Sequence, residues 1–505
     1  MLNTAAWPDR RWQFGAVAAV LAMTLWRVAW LAASKAELGV DEAQYWQWSQ
    51  SLDWGYFSKP PMIAWIIRAT TDLLGSDNTF AVRLGAPLLQ GATALLVMWF
   101  GHLVAGGRIG LIAGAAYLTM PVMTIGSMTM STDTPMLFFL AASLVAWLRL
   151  VQVPTVARAG MLGLMIGAAI LSKYAMLFLL PGLVLAALVV PGWQLPRREA
   201  AVAGIVALLA VLPNVWWNLN HGFATLNHLA DSAGWTGLQL YPGAASGFLL
   251  AQFAVFGPVV FAVMLWQSAR VLFGRGNPAL RGAVLLSLPV LVVVTGQALL
   301  SHAYANWAVA AAAGGALLAA LALQKAPYLL MATLVLQAAL GLALPPLPAL
   351  AIDLRLPNGQ PLFIRYQGRA AAADFALDLA QANGLQAVVA SERSLLADLF
   401  YQARDRRTQV FSTPPEAAPT NHYALTYPLP AEWPGDVLLY GDATTAARLL
   451  ASVPGARELG RFTPTEGWAK GRSLVALRIA AAYWRTSTAS GGARSLQGGA
   501  SPDTG

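Results

Sequence analysis

Cysteine is absent from the chain, which excludes a disulfide framework and a thiolate metal site. Charge is scarce as well: Asp, Glu, Lys and Arg make up 11% of the residues, against about a quarter in an ordinary soluble domain. No self-similarity at a solenoid period is visible, and no inverted repeat of the transporter kind. Apolar residues, in contrast, make up 57% of the chain. Apolar runs of roughly 18 to 22 residues recur along the first two thirds, each long enough to cross about 30 Å of hydrocarbon as a helix. They are too numerous for a signal peptide or a lone anchor. The pattern predicts a polytopic α-helical membrane protein with about eleven transmembrane helices, near 13–34, 82–104, 109–126, 135–151, 159–172, 174–191, 200–217, 246–268, 283–301, 306–323 and 327–346.

Basic residues in short loops stay on the cytoplasmic side of a membrane. Arg10, Arg11, Arg108, Arg149, Arg158, Arg197, Arg198, Arg270, Arg275, Arg281 and Lys325 all fall on one face of this threading. The amino terminus is therefore expected to be cytoplasmic. The opposite loops hold Asp41, Glu42, Asp53, Asp72, Asp77, Asp133 and Asp231, so a large first loop, 35–81, is expected to face outward. The cytoplasmic belt accounts for the net charge of +9, and no nucleic acid is needed to explain it.

Past Leu350 the composition changes. Charges return, and short apolar strands alternate with helical patterns, which predicts a small soluble α/β domain over 350–483 after a membrane domain over 1–349. Strands are expected at Gln386–Ala390, Gln409–Ser412, Asp436–Tyr440 and Ser473–Ile479, and helices near Ala372–Ala382, Ser394–Asp405 and Thr444–Ala451. An odd number of spans and a cytoplasmic start place this domain outside, on the same side as the first loop. The tail, 484–505, is rich in Ser, Gly and Ala and is expected to be disordered.

The outward loops concentrate chemistry. Asp41 and Glu42 open a helical pattern carrying Tyr45, Trp46 and Trp48, where Asp41 could serve as an N-cap, Glu42 as a first-turn dipole partner and the aromatics as an interfacial belt. Capping does not account for Lys59, which precedes Pro60 and Pro61 and a helix expected over Met62–Leu74. A cation there pairs with phosphate as a point charge. Asp133 precedes Thr134 and Pro135 and could also cap a helix. Lys173 interrupts the apolar stretch from Met161 to Val190, marking either a turn between two short spans or a snorkelling side chain. Arg27 falls inside the first span, where a charge calls for a bundle-facing partner or an anionic ligand. Three acids and several cations at one level suit carboxylate-assisted attack by a hydroxyl on a phosphate-bearing donor.

At these residues the chain resembles the GT-C glycosyltransferases that use polyprenyl-phosphate sugars, and is most similar to the branch holding ArnT, the protein O-mannosyltransferases and the RgtA/B/C/D-like enzymes. The resemblance rests on Asp41-Glu42, on Gly55-Tyr56-Phe57-Ser58-Lys59-Pro60-Pro61, on the Asp133 loop, on Leu171-Ser172-Lys173-Tyr174, on Ala305-Asn306-Trp307 and on Asn421-His422-Tyr423. It implies an inverting enzyme of the bacterial inner membrane, with its active site and C-terminal domain periplasmic, moving a sugar from a polyprenyl-phosphate donor to a glycolipid or other glycoconjugate, with lipid A or lipopolysaccharide core as the leading acceptor class. Asp41 is implied as the base, with Glu42 and Asp133 beside it. Lys59, Lys173, Arg27, Tyr45 and Tyr56 are implied around the donor phosphate. Gln44 stands where ArnT-like members carry arginine and Ser58 where they carry glutamate, which argues against aminoarabinose as the sugar. Lys59 replaces the histidine of the RgtA/B/C/D-like branch.

Some members of this superfamily bind a divalent cation through acidic loops, which keeps one open as a cofactor. No metal-ligand set stands out here, and His221, His228 and His302 are scattered over outward loops as hydrogen-bonding residues. Three other readings compete. A lipid-linked-sugar flippase or transporter would place its charges near the midplane instead of the outer rim. A polysaccharide ligase or polymerase would use the same donor. A catalytically silent scaffold would not need Asp41.

Overall fold

The structure is a computed structural model that describes residues 10–234, 239–415 and 418–484. The tail expected to be disordered lies outside the described residues from 485 onward. The described residues form two compact units, one within 1–34 and 52–350, the other within 35–51 and 351–505. The loop expected over 35–81 is thus divided at Leu52.

In the first unit, seven helices among the described residues are long and apolar enough to cross a membrane: Gln13–Ala32, Thr79–Ala105, Asp133–Gln152, Arg197–Asn220, Pro278–Leu300, Ala305–Leu323 and Pro327–Leu350. The remaining expected spans take other forms. The one near 246–268 is a pair, Pro242–Val255 and Pro258–Leu272, bent by 120°. Gly257 supplies the bend with φ +90°, a conformation that glycine reaches without Cβ strain, and Pro258 opens the second half. The carbonyl of Phe256 at this break accepts a hydrogen bond from Gln337 Nε2 at 3.1 Å, which satisfies it away from water. The run near 109–126 is a helix, Gly107–Thr119, broken at Met120-Pro121. Those at 159–172 and 174–191 are the short helices Val156–Ser172 and Tyr174–Val189. Apolar run length overestimates helix length wherever Pro, Gly or a charge interrupts the run.

Close helix packing rests on small residues. A Cβ on Gly110 would lie 2.5 Å from the Met98 carbonyl oxygen, and one on Gly163 2.4 Å from that of Ala203. The helix Ala312–Leu323 is buried on nearly every side, as a helix apolar all round must be. Leu208, Leu209, Leu212 and Trp216 on one helix, and Met331, Val335 and Leu336 on another, are exposed, as lipid-facing side chains are. The protein is a multi-pass membrane protein.

The second unit holds a five-stranded sheet made of β1 (Ala387–Ala390), β2 (Gln409–Ser412), β3 (Asp436–Asp442), β4 (Arg457–Phe462) and β5 (Leu474–Ala480), in the order β2-β1-β3-β5-β4. β1 pairs in parallel with β2 and β3, while β5 runs antiparallel to β3 and β4. Val389 opposes Leu439 and Leu439 opposes Leu477, so alternate residues feed one core with Ala387, Ile479, Leu449 and Trp484. Four strands and the helices Arg369–Ala382, Arg393–Gln402 and Ala443–Ser452 fall where apolar periodicity puts them. β4 was not expected: Arg457-Glu458-Leu459-Gly460-Arg461-Phe462 is a largely solvated edge strand without a clean apolar alternation. The five-residue helix His422–Thr426, capped by Asn421, is too short to show periodicity.

Candidate active site

The helix Val40–Gln50 belongs to the second unit. Its N-cap is Gly39, whose N–H donates to Glu42 Oε2 at 3.0 Å, the reach-back half of a capping box. Capping therefore falls to Gly39 and the buried Glu42, not to Asp41. Upstream, the Glu37 carboxylate accepts the Arg369 backbone N–H at 2.6 Å, and burial pushes its pKa up against that bond. Downstream, Trp46 meets Tyr401 edge-on at 4.9 Å, and Trp48 meets His422 at 5.5 Å. Tyr45 is buried, its ring 5.1 Å from that of Trp48. These aromatics are core residues of the domain more than an interfacial belt.

Asp41 points its half-exposed carboxylate at Arg393, and Arg393 Nη2 donates to Asp41 Oδ1. The same guanidinium donates from Nε to Gln44 Oε1 at 2.7 Å. Burial acts to lower the Arg393 pKa, but the charge of Asp41 and its hydrogen bond outweigh that and raise it. His422, closed off from water, is pushed down to about 3 and is neutral.

The first unit holds a second polar cluster. Asp133 opens its helix as a helical residue behind Thr132. Lys173 Nζ donates to its Oδ1 at 2.7 Å and Asn306 Nδ2 to its Oδ2 at 3.0 Å. Three separate sequence motifs thus meet on one carboxylate, and Lys173 is paired where a snorkelling side chain would reach for water. Arg27 is fully enclosed; its Nη2 donates to the Leu118 carbonyl at 2.8 Å and to Thr124 Oγ1 at 3.1 Å. Its partners here are neutral bundle groups.

The Tyr56–Pro61 loop, which carries Lys59, is fixed by residues not singled out in the sequence. Trp217 Nε1 donates to Asp53 Oδ2 at 2.6 Å, and Asn214 Nδ2 to the Trp54 carbonyl at 2.7 Å. Tyr174 OH donates to Asn214 Oδ1 at 2.5 Å, so the residue after Lys173 is tied to this loop. Gly55 must be glycine, because a Cβ there would come within 2.6 Å of the Trp217 ring. The Tyr56 hydroxyl accepts the Asp53 N–H at 3.1 Å, and the Tyr56 carbonyl accepts Thr225 Oγ1 at 2.7 Å. Lys59 is half-buried in this turn, ahead of the helix Met62–Leu74.

Asn214, Trp217 and Arg393 gave no sequence signal of their own. Among the described residues no group of three or more acidic or histidine side chains is close enough to share a metal ion. His221 rests its Nδ1 on the Trp217 carbonyl at 2.8 Å, and His302 Nδ1 lies 3.1 Å from Ser301 Oγ.

A sequence profile of the dolichyl-phosphate-mannose-protein mannosyltransferase family matches residues 58–217. The chain is 40% identical over 464 residues to the lipid A galacturonosyltransferase RgtD of Rhizobium johnstonii, covering 92% of this chain and 97% of that one. It is 29% identical over 308 residues to the lipopolysaccharide core galacturonosyltransferase RgtB of the same organism, covering 58% of this chain and 60% of that one. Crystal structures of ArnT from Cupriavidus metallidurans, in the apo state and bound to undecaprenyl phosphate, share its fold with a TM-score of 0.64. Each is 17% identical and is aligned over 92% of this chain and 98% of its own. A match over nearly the whole of RgtD sets aside a carrier or a silent scaffold: the chain belongs to the GT-C glycosyltransferases and is a membrane-embedded glycosyltransferase.

Proposed function

We propose that the protein is an inverting galacturonosyltransferase that takes its sugar from a polyprenyl phosphate and delivers it to lipid A or a related lipopolysaccharide glycolipid, on the periplasmic face of the bacterial inner membrane. The observation that carries this reading is the 40% identity extending over 97% of a lipid A galacturonosyltransferase. The asymmetric placement of Lys and Arg supports the orientation. In the reaction, Asp41 accepts the proton of the acceptor hydroxyl as the oxygen attacks the anomeric carbon. The bond from that carbon to the donor oxygen breaks with inversion, and its electron pair leaves on the lipid phosphate. Lys59 is assigned to the leaving phosphate. Lys173 joins it only as far as Asp133, which already holds its ammonium, allows. Tyr45 and Tyr56, both buried, shape the surroundings, Glu42 holds the helix that bears the base, and Arg27 braces the bundle. A lipid phosphate is an activated leaving group, so positioning and charge stabilisation carry most of the acceleration.

The test is transfer in membranes supplied with polyprenyl-phosphate galacturonate and purified lipid A, read by mass spectrometry. Gain of a single hexuronic acid per acceptor supports the proposal. Successive additions would favour a polymerase, and transfer only of a different sugar would refute the galacturonate assignment.

A further inference from the structure

We propose that Arg393, carried by the C-terminal domain, is the positioning residue for the Asp41 carboxylate; this rests on the reading of Asp41 as the base. Asp41 and Gln44 lie three residues apart and so share one face of the helix Val40–Gln50. The Arg393 guanidinium meets both, Nη2 on Asp41 and Nε on Gln44 at 2.7 Å. A planar fork held at two of its nitrogens fixes the direction of the carboxylate in a way a lysine ammonium cannot.

Other acids of this domain hold partners of their own. Glu42 takes the Gly39 N–H. Asp398 takes Arg369 Nη1 at 3.0 Å and 3.3 Å on its two oxygens. Glu392 takes Arg472 at 2.5 Å and 3.0 Å. The hydroxyls of Tyr45 and Tyr423 also act on Arg393. Asp41 accepts directly from its Nη2 and has the largest charge effect on it. The backbone bearing Arg393 is itself anchored, because Glu392 immediately before it is clamped by Arg472, whose guanidinium lies 5.2 Å from the centre of the Trp468 ring. A partly exposed ion pair contributes little to folding, which separates a positioning role from a structural one.

The experiment uses the full-length enzyme in detergent or proteoliposomes, with polyprenyl-phosphate galacturonate and lipid A. Arg393→Ala is expected to lower kcat on the order of 10- to 100-fold, the scale of a misplaced catalytic group. The donor KM and the melting temperature should hold. Added methylguanidinium should restore part of kcat, since the site is open to solvent. Arg393→Lys, which keeps the charge and loses the fork, should fall between wild type and Arg393→Ala, and serves alone if the alanine variant does not accumulate. A wild-type kcat in either folded variant overturns the proposal. Asp41→Asn separates the two readings. If it is inactive while Arg393→Ala is fully active, the base stands and the positioning role falls. If Asp41→Asn is itself fully active, the base assignment fails, and the role of Arg393 with it.

Discussion

The buried pair Arg369–Asp398 gives the sharpest energetic test of the second unit. Both side chains are nearly closed to water, at 8% and 5% exposure, with Nη1 3.0 Å from Asp398 Oδ2. Burial pushes the Asp398 pKa from its ordinary 3.8 up to about 7, against the lowering charge of Arg369. Arg369→Met removes that charge, leaves the carboxyl buried and should push its folded pKa higher still. The wild-type carboxyl already carries most of the cost of being held neutral, because its folded pKa is about 7. At about 1.4 kcal/mol per pH unit, the ionisation lost with Arg369 therefore adds about 0.8 kcal/mol at pH 7.5 and almost nothing at pH 5, on top of a pH-independent loss of its hydrogen bonds. The sign follows from the raised folded pKa. The neutral acid's stability is fully present below about 3.8 and is lost as pH rises through the folded value, so the variant should be hurt most at high pH. The assay is hydrogen exchange in the full-length protein at the sheet amides of Val388, Val389, Leu438 and Leu439, referenced to intrinsic rates at each pH. A penalty of equal size at pH 5 and pH 7.5, or one larger at pH 5, would refute the argument. Arg369→Met combined with Asp398→Leu should recover most of the loss.

Lys59→Ala should raise the donor KM about 10-fold, the scale of one charge-assisted hydrogen bond, while leaving the acceptor KM unchanged; steady-state kinetics with each substrate varied decides, and equal losses would make Lys59 structural. Gly163→Leu, which forces a side chain against the Ala203 carbonyl 2.4 Å away, should destabilise the membrane unit by about 1–3 kcal/mol and lower its melting temperature in detergent, whereas Gly204→Ala, at a glycine with open space beside it, should not. His422 is held neutral with a pKa near 3 against an ordinary 6.5, so the second unit should lose stability as pH falls from about 6.5 toward 3. His422→Phe should flatten that loss, measured by exchange of the same sheet amides; an unchanged slope would exclude His422 as its source.

Periodicity revealed most of the sheet domain because its strands bury alternate residues, and it missed β4, whose solvated Arg457, Glu458 and Arg461 leave no apolar stripe. In the membrane unit, run length marked where apolar helices lie but not where they break, since Gly257 and Pro258 turn the chain through 120° inside a continuous apolar stretch. Asp133 and Lys173 were legible as groups at one level, but their direct pairing, and Asn306 as the third partner, show only in the structure. Arg393, Asn214 and Trp217 were illegible because each acts through a contact far away in sequence, and an isolated Arg, Asn or Trp on a helix carries no pattern. Asp41 looked like an N-cap because a single acid before a helix usually is one. The cap proved to be Gly39 with Glu42, a distinction that depends on backbone angles.

The helix bearing Asp41 comes early in the chain but folds with a domain that comes late. Arg393 meets Asp41 across 352 residues of sequence, so on a ribosome adding 5–20 residues per second the acid waits roughly 20–70 s for its guanidinium to be made. Until then the segment Lys35–Ser51 lacks Arg393 and the partners made after it, Tyr401 and His422 among them. A chain stopped anywhere before Arg393 can insert its helices and still leave its proposed base unplaced, so incomplete products would sit in the membrane without competing for the lipid-linked sugar as active enzyme.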